Sequence, residues 1–290
     1  MLSPYYTAKA EIQVKLPSTN IPSHTDVKPT AVTRNTVNYG PYSNVEPFDT
    51  TAMRIHFEHP QAVATVTELV REIEVSHWGN VYIEERYTVE HTGAKLTGEW
   101  SRLDYQSNPT VYARNALQAM VMDLPAPARA LYYRDEIGNI STSKVKATRT
   151  KMDVILEPRY PLFGGWKTKF TFGYSLPLWV LASKQRGGAL QLRALLGCSI
   201  RDVSVDNLTI SVVLPEGASN VVADVPVSDV HQWRGAKYTY LDVAGRPVVV
   251  LSKLNTVAEH NVPFTVTYSF SFISMLREPA LLIAGWLFIF

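Results

Sequence analysis

Residues 262–272 read Val262-Pro263-Phe264-Thr265-Val266-Thr267-Tyr268-Ser269-Phe270-Ser271-Phe272. Every second residue is large and apolar, and most of those between are small and hydroxylated. A repeat of two is the side-chain period of a β-strand. The stretch therefore predicts one strand with Val262, Phe264, Val266, Tyr268, Phe270 and Phe272 on a single buried face. Leu208, Ile210, Val212 and Leu214 repeat the pattern. Val81, Ile83, Tyr87 and Val89 follow it more loosely, with Glu84, Arg86 and Glu90 turned outward, and Phe170, Phe172 and Tyr174 make a shorter set. Turn chemistry separates the runs at His77-Trp78-Gly79-Asn80, Leu214-Pro215-Glu216-Gly217 and Ala244-Gly245-Arg246-Pro247. Short strands with few helical periods predict a mainly β fold, an antiparallel β-sandwich. Residues 111–124 fit a helix by their alanine and methionine content and a buried strand by their apolar run. No internal repeat is visible.

The chain has 290 residues, of which 46% are hydrophobic and 19% charged, enough apolar material for a core and too much for a disordered chain. Twenty-eight Lys and Arg against 26 Asp and Glu leave a net charge of +2, which lacks the basic excess a nucleic-acid partner asks for. The single cysteine, Cys198, allows no internal disulfide, although a core of this size needs none.

The two ends differ from the middle. Pro17, Pro22, Pro29, Pro41, Pro47 and Pro60 punctuate the first stretch, which reads as irregular connections around short strands at 10–16 and 53–57. Proline density falls near residues 62–66, so the chain is divided as 1–65, one β domain, and 66–276, a second. Met1-Leu2-Ser3-Pro4-Tyr5-Tyr6 carries neither a basic start nor an apolar run, so no signal peptide is expected in it. At the other end, Ala280-Leu281-Leu282-Ile283-Ala284-Gly285-Trp286-Leu287-Phe288-Ile289-Phe290 has no ionisable side chain. A spanning helix needs about 20 such residues. Residues 277–290 are therefore read as the start of a single transmembrane helix, with Arg277-Glu278-Pro279 at the membrane surface and the proline near the helix start. A buried C-terminal strand or helix is the other reading.

The search for catalytic chemistry returns little. Gly93 and Gly98 have P-loop spacing, but Glu99-Trp100 stands where lysine and a hydroxyl residue would hold phosphate and magnesium. His56 and His59 lie three apart with Glu58 between, which is not the zinc-protease pattern, and Pro60 opposes the helix that pattern needs. His77 reads as structural and Cys198 as a small apolar residue. Glu72 and Glu74 read as a solvated strand face, and Asp135-Glu136 as ion-paired with Arg134. No catalytic residue, cofactor or metal is assigned. Two sequons occur, Asn139-Ile140-Ser141 after a predicted turn and Asn207-Leu208-Thr209 leading into a strand; Asn108-Pro109-Thr110 is disqualified by its proline.

Several segments closely resemble the ribophorin I family, subunit 1 of the endoplasmic-reticulum oligosaccharyltransferase. They are Ile73-Glu74-Val75-Ser76-His77-Trp78-Gly79-Asn80, His91-Thr92-Gly93-Ala94 and Ser101-Arg102-Leu103-Asp104-Tyr105-Gln106. Tyr132-Tyr133-Arg134-Asp135-Glu136-Ile137-Gly138-Asn139-Ile140-Ser141-Thr142-Ser143 and Pro161-Leu162-Phe163-Gly164-Gly165-Trp166-Lys167-Thr168 are stronger. Tyr238-Thr239-Tyr240-Leu241-Asp242, Gly245-Arg246-Pro247-Val248 and Glu278-Pro279-Ala280-Leu281-Leu282 follow in order. The resemblance spans most of residues 38–282 and weakens over 178–201.

The resemblance implies a lumenal part of two β-sandwich domains, one transmembrane helix and a cytosolic helical portion. This chain then corresponds to the end of the first lumenal domain, the second, and the start of the membrane helix. It implies a single-pass type I protein of the endoplasmic-reticulum membrane, a noncatalytic subunit beside a polytopic catalytic one that carries a Trp-Trp-Asp-Tyr-Gly motif and a divalent metal site. The complex transfers a preassembled glycan from dolichol pyrophosphate to asparagine in nascent polypeptides, and this subunit's expected role is scaffolding and substrate presentation. The family's glycan acceptor falls at Asn139; Asn207 has no such support. Trp78, Tyr132, Tyr133 and Trp166 are candidate contacts for peptide or neighbouring subunits, or else packing aromatics. A cell-surface β-sandwich binding module on one anchor is the alternative reading, and an autonomous hydrolase using His56, His59 or a carboxylate pair a third.

Overall fold

A computed structural model describes residues 3–58, 62–108, 115–239 and 241–289. The chain divides into two compact units, Met1–Gln61 and Ala62–Phe290.

The first unit holds β1 (Thr7–Lys15), β2 (Ser23–His24), β3 (Thr30–Thr33), β4 (Thr36–Val45) and β5 (Ile55–His56). They form a three-stranded sheet, β1-β4-β3, and the pair β2-β5. Its core is small: Leu16, Val37 and Tyr39 are buried, with Val14, Met53, Ile55 and Phe57 among the side chains packed on them. The strand expected over 53–57 contracts to two residues, because its ladder partner among the described residues, β2, is itself two residues long.

In the second unit β6 (Ala64–Ser76) and β7 (Asn80–His91) form a long hairpin. A short helix, Arg102–Ser107, precedes β8 (Met120–Pro125), β9 (Arg129–Asp135), β10 (Lys144–Ala147), β11 (Lys151–Leu156) and β12 (Lys167–Pro177). Then come β13 (Ala182–Lys184), β14 (Leu190–Leu195), β15 (Ser204–Val213), β16 (Ser219–Asp224), β17 (His231–Lys237), β18 (Arg246–Thr256) and β19 (Pro263–Ser269). Helices Phe272–Met275 and Arg277–Ile289 end the chain's described part. The strands form a seven-stranded sheet, β17-β18-β15-β6-β7-β12-β9, a four-stranded sheet, β13-β14-β19-β16, and a three-stranded sheet, β10-β11-β8.

The fold is mainly β with several antiparallel sheets, and one ladder departs from the antiparallel expectation: β15 runs parallel to β6. The long stretch of chain between them permits the crossover a parallel pair requires. Leu208, Ile210 and Val212 thereby align with Leu69, Arg71 and Ile73. One core joins the inward residues of all three sheets, among them Leu69, Ile210, Phe172, Phe264, Val266, Tyr268 and Met122.

The alternating run at 262–272 holds for Phe264, Val266 and Tyr268, each fully buried. It fails beyond Ser269. The neighbouring strands end opposite Tyr268 and Ser269, so the backbone loses its ladder and turns into helix Phe272–Met275, leaving Phe272 71% exposed. In the ambiguous stretch 111–124, residues 120–124 are strand and 111–114 lie outside the described residues.

The final helix, Arg277–Ile289, has 13 residues. At 1.5 Å per residue it is about 20 Å long, against roughly 30 Å of hydrocarbon. Among the described residues no helix is long and apolar enough to cross a membrane.

Candidate functional site

The seven-stranded sheet presents two chemically distinct faces, and both strands of its central hairpin contribute charge to each. On the outer face Glu84 of β7, Gly173 of β12 and Tyr132 of β9 stand side by side in register. Glycine is required there: a Cβ on Gly173 would sit 2.0 Å from the Tyr132 ring, which lies across it. The Tyr132 hydroxyl donates to Glu84 Oε2 at 2.5 Å, and the Tyr82 and Tyr132 hydroxyls are 2.5 Å apart with their rings stacked. Arg86 Nε donates to Glu84 Oε1 at 2.9 Å, and the Arg134 guanidinium lies 5.4 Å from the Tyr132 ring centre. Burial alone would hinder ionisation of Glu84, but the hydrogen bonds from Tyr132 and Arg86 outweigh it and hold the carboxyl below its ordinary range. Burial, then the Glu84 bond, pushes the Tyr132 hydroxyl far above that of free tyrosine. The result is a fixed anion capped by phenols and arginines. Further along the face Lys237 pairs with Glu72 at 2.5 Å, and Arg246 with Glu74 at 2.9 Å.

On the inner face Arg71 and Glu85 are direct cross-strand partners with Nε–Oε1 at 2.6 Å. Tyr87 donates to Glu85 Oε2 at 2.7 Å and Ser199 to Oε1 at 2.8 Å, while Arg71 donates to the carbonyls of Leu195 at 2.9 Å and Gly197 at 2.8 Å. Burial opposes the Arg71 charge, and the neighbouring Glu85 carboxylate more than restores it. Arg71 also lines a cleft of about 690 Å³ whose wall includes Tyr174, Leu195, Cys198, Ser199 and Arg201. Residues 178–201, where the sequence resemblance weakens, therefore build much of it. Burial pushes the Cys198 thiol up to about 11, so it stays protonated and is a poor nucleophile near neutral pH.

The sequence-predicted residues scatter. Trp78 is 64% exposed in the β6–β7 turn. Tyr132 and Tyr133 are neighbours in β9 and point oppositely. Tyr133 faces the core, 5% exposed and edge-on to Phe170 at 5.3 Å, the packing arrangement of the two readings given for it. Trp166 is half-buried in an aromatic group with Trp100 at 5.5 Å and Phe163 at 5.3 Å. Asn139 is exposed at the end of a loop whose Asp135 accepts the amides of Ile137 and Gly138 and is clamped by Arg159 at 2.6 Å. Asp135 thus pairs with Arg159, and Arg134 turns to Glu84 on the other face, which corrects the expected Asp135–Arg134 pair. Arg159's hydrogen bonds hold the Asp135 carboxyl at about 2. Asn207 is exposed on the outer face of β15, beside Glu68 and Leu254. His56 is exposed, and His59 lies outside the described residues. Among the described residues no group of three or more His, Cys, Asp or Glu is arranged to hold a metal ion.

Arg71, Glu85, Tyr82 and the Glu84 network went unrecognised in the sequence. Reading β6 and β7 strictly in phase would have placed Arg71 and Glu85 inward, because Leu69, Ile73, Ile83 and Tyr87 flank them at spacings of two.

The family described as Ribophorin I matches residues 1–290. The chain belongs to the ribophorin I family. It is 45% identical over 291 residues to the Arabidopsis thaliana protein named dolichyl-diphosphooligosaccharide–protein glycosyltransferase subunit 1A, covering 100% of this chain and 47% of the relative. A subunit 1B from Oryza sativa subsp. japonica is 44% identical, covering 98% of this chain and 60% of its own length. A Caenorhabditis elegans subunit 1 is 45% identical, covering 89% and 44%. The chain thus spans about half the length of the curated ribophorin I relatives it matches. Residues 178–201 fall inside the family match. A crystal structure of an M1 zinc metallopeptidase from Deinococcus radiodurans aligns over 71% of this chain and 42% of that one, at a TM-score of 0.39 and 14% identity, a likeness too low to carry an argument.

Proposed function

We propose that this chain is a noncatalytic part of the oligosaccharyltransferase complex, a β scaffold that helps present polypeptides for transfer of a preassembled glycan from dolichol pyrophosphate to asparagine. The observation that carries it is the 45% identity, along the full chain, to a relative named as subunit 1 of that transferase. The side chains support the noncatalytic role. The adjacent carboxylates on the two sheet faces are committed to structural pairs: Glu85 to Arg71, Tyr87 and Ser199, and Glu84 to Tyr132, Arg86 and Arg134. Neither carboxylate is left as an acid or base for a substrate.

In this reading the layered sheets form a lumenal sandwich in the endoplasmic reticulum, and Arg277–Ile289 begins a single type I membrane helix. Leu281, Leu282, Ile283, Trp286 and Leu287, all exposed, are then its lipid-facing side chains. Asn139 carries a glycan, held clear of the sheet by the Asp135–Arg159 clamp, and Asn207 is a second acceptor. Trp78, Tyr132 and the margin of Trp166 meet nascent polypeptide or neighbouring subunits. Partners are the polytopic catalytic subunit and other members of the complex.

Affinity purification of the full-length protein from solubilised microsomes tests the reading. It predicts recovery of the polytopic transferase subunit; clean absence of that subunit overturns it. Asn139→Gln is expected to remove an endoglycosidase H-sensitive gel shift.

A further inference from the structure

A small pocket of about 70 Å³ lies where the β6–β7 turn, the β15–β16 turn and the C-terminal helices meet, lined by Ser76, His77, Trp78, Glu216, Phe270 and Ser274 together with Arg246 and Glu278. Its centre of interest is Glu216, a carboxylate only 6% exposed. Glu216 Oε1 accepts the backbone amides of Val243 at 3.0 Å and Ala244 at 2.5 Å. Its Oε2 is buried and has no hydrogen-bond partner. A buried anion with one bare oxygen is a strong demand for a donor or a cation.

The local cations do not meet that demand. Arg246 is divided among Glu74 at 2.9 Å, Asp242 at 3.1 Å and Glu278 at 2.9 Å. Lys237 is held by Glu72 at 2.5 Å and Glu74 at 3.6 Å. Arg277 comes close to Gly217, yet Glu216 Oε2 stays without a partner. His77 spends its Nε2 on the Tyr268 hydroxyl at 3.0 Å. Among the described residues that line the pocket, two carboxylates, Glu216 and Glu278, thus face one full cation, Arg246, which Glu74 and Asp242 also share. The remaining wall is aromatic. His77 stacks on Phe270 at 4.3 Å, and Trp78 stands 64% exposed at the lip.

We propose that this pocket receives the charged end of a lysine or arginine side chain from a partner polypeptide, gripped by Glu216 Oε2 and flanked by Trp78. The volume is that of about two water molecules, enough for an ammonium or guanidinium head and too small for a free ligand of ordinary size. A bare carboxylate, an acidic surplus and an exposed indole are the features that attract a cationic side chain. Gly217 makes the site possible: with φ at +87° it lets Ser274 approach to where a Cβ would stand 2.7 Å from the Ser274 hydroxyl. The inference rests on the chain's proposed place in a multisubunit complex and names the chemistry of one contact within it.

The test uses the full-length protein in its solubilised complex. Glu216→Gln retains an amide oxygen for Val243 and Ala244 and replaces the charged acceptor Oε2 by a neutral NH2 donor; Trp78→Ala alters an exposed side chain outside the core. Each is expected to release a neighbouring chain about tenfold faster, or more, on a salt wash. Carbodiimide coupling of the wild-type complex is expected to join Glu216 to a lysine of another chain where the guest is lysine, and Glu216→Gln to abolish that product. Release at the wild-type rate by both variants overturns the proposal, the pocket then holding only water. Failure of the wild-type chain to recover any transferase subunit is a different result, and strikes the proposed function itself.

Discussion

Glu84 and Glu85 are adjacent on β7, yet they inhabit opposite faces of one sheet. Glu85 points inward, fully buried, and is matched by Arg71, which closes off a core otherwise made of aliphatic and aromatic groups. Glu84 points outward and is fixed by two phenols and two arginines at the surface. The inner pair sits where water cannot compensate the loss of either partner, so its worth lies in being complete. The outer network is partly wet and screened, and its worth lies in holding Tyr132 flat across Gly173.

The contrast is tested first on the inner face. Arg71→Met or Glu85→Leu alone is expected to cost about 3–5 kcal/mol, while the double change recovers most of it. Urea unfolding of the full chain reads this, and a double variant as weak as the sum of the singles would break the comparison. Gly173→Ala comes next, at about 1–3 kcal/mol, because the new methyl must displace the Tyr132 ring. Adding Tyr132→Ala should relieve the clash, which places the cost on the outer face. Glu84→Gln is expected to cost only about 1 kcal/mol, with Tyr132 still hydrogen-bonded.

The smallest effect is one of pH. The folded Asp135 carboxyl sits at about 2, below the roughly 3.9 of an unfolded aspartate. Its stabilising contribution is complete above the unfolded value and is lost as pH falls through about 2. The Gly138 amide, bound by Asp135, should lose exchange protection relative to its intrinsic rate over that fall, and Arg159→Ala should move the loss to higher pH.

Much of the fold was legible because burial enforces alternation. Leu208, Ile210, Val212 and Leu214 are all buried, as are Val81, Ile83, Tyr87 and Val89. Glu72 and Glu74 do lie on the outer strand face. What escaped was what alternation cannot carry. A charged residue in the inward phase looks like noise until its cross-strand partner is known, which is why Arg71 and Glu85 were passed over. Tyr132 and Tyr133 look alike in sequence, and only their phase separates a surface group from a core one. Asp135 finds Arg159, a partner 24 residues distant, and not the adjacent Arg134, which the strand turns to the other face. The pocket at Glu216 is drawn from turns and helices far apart in the chain, and no local pattern announces it.

The parallel union of β6 with β15 also sets a timetable for synthesis. The β6–β7 hairpin can close as soon as its turn is made, but the other margin of β6 has no ladder until Leu208 reaches Leu69. Through that interval a strand edge 13 residues long stands open to stray pairing, until β15 arrives to cover it.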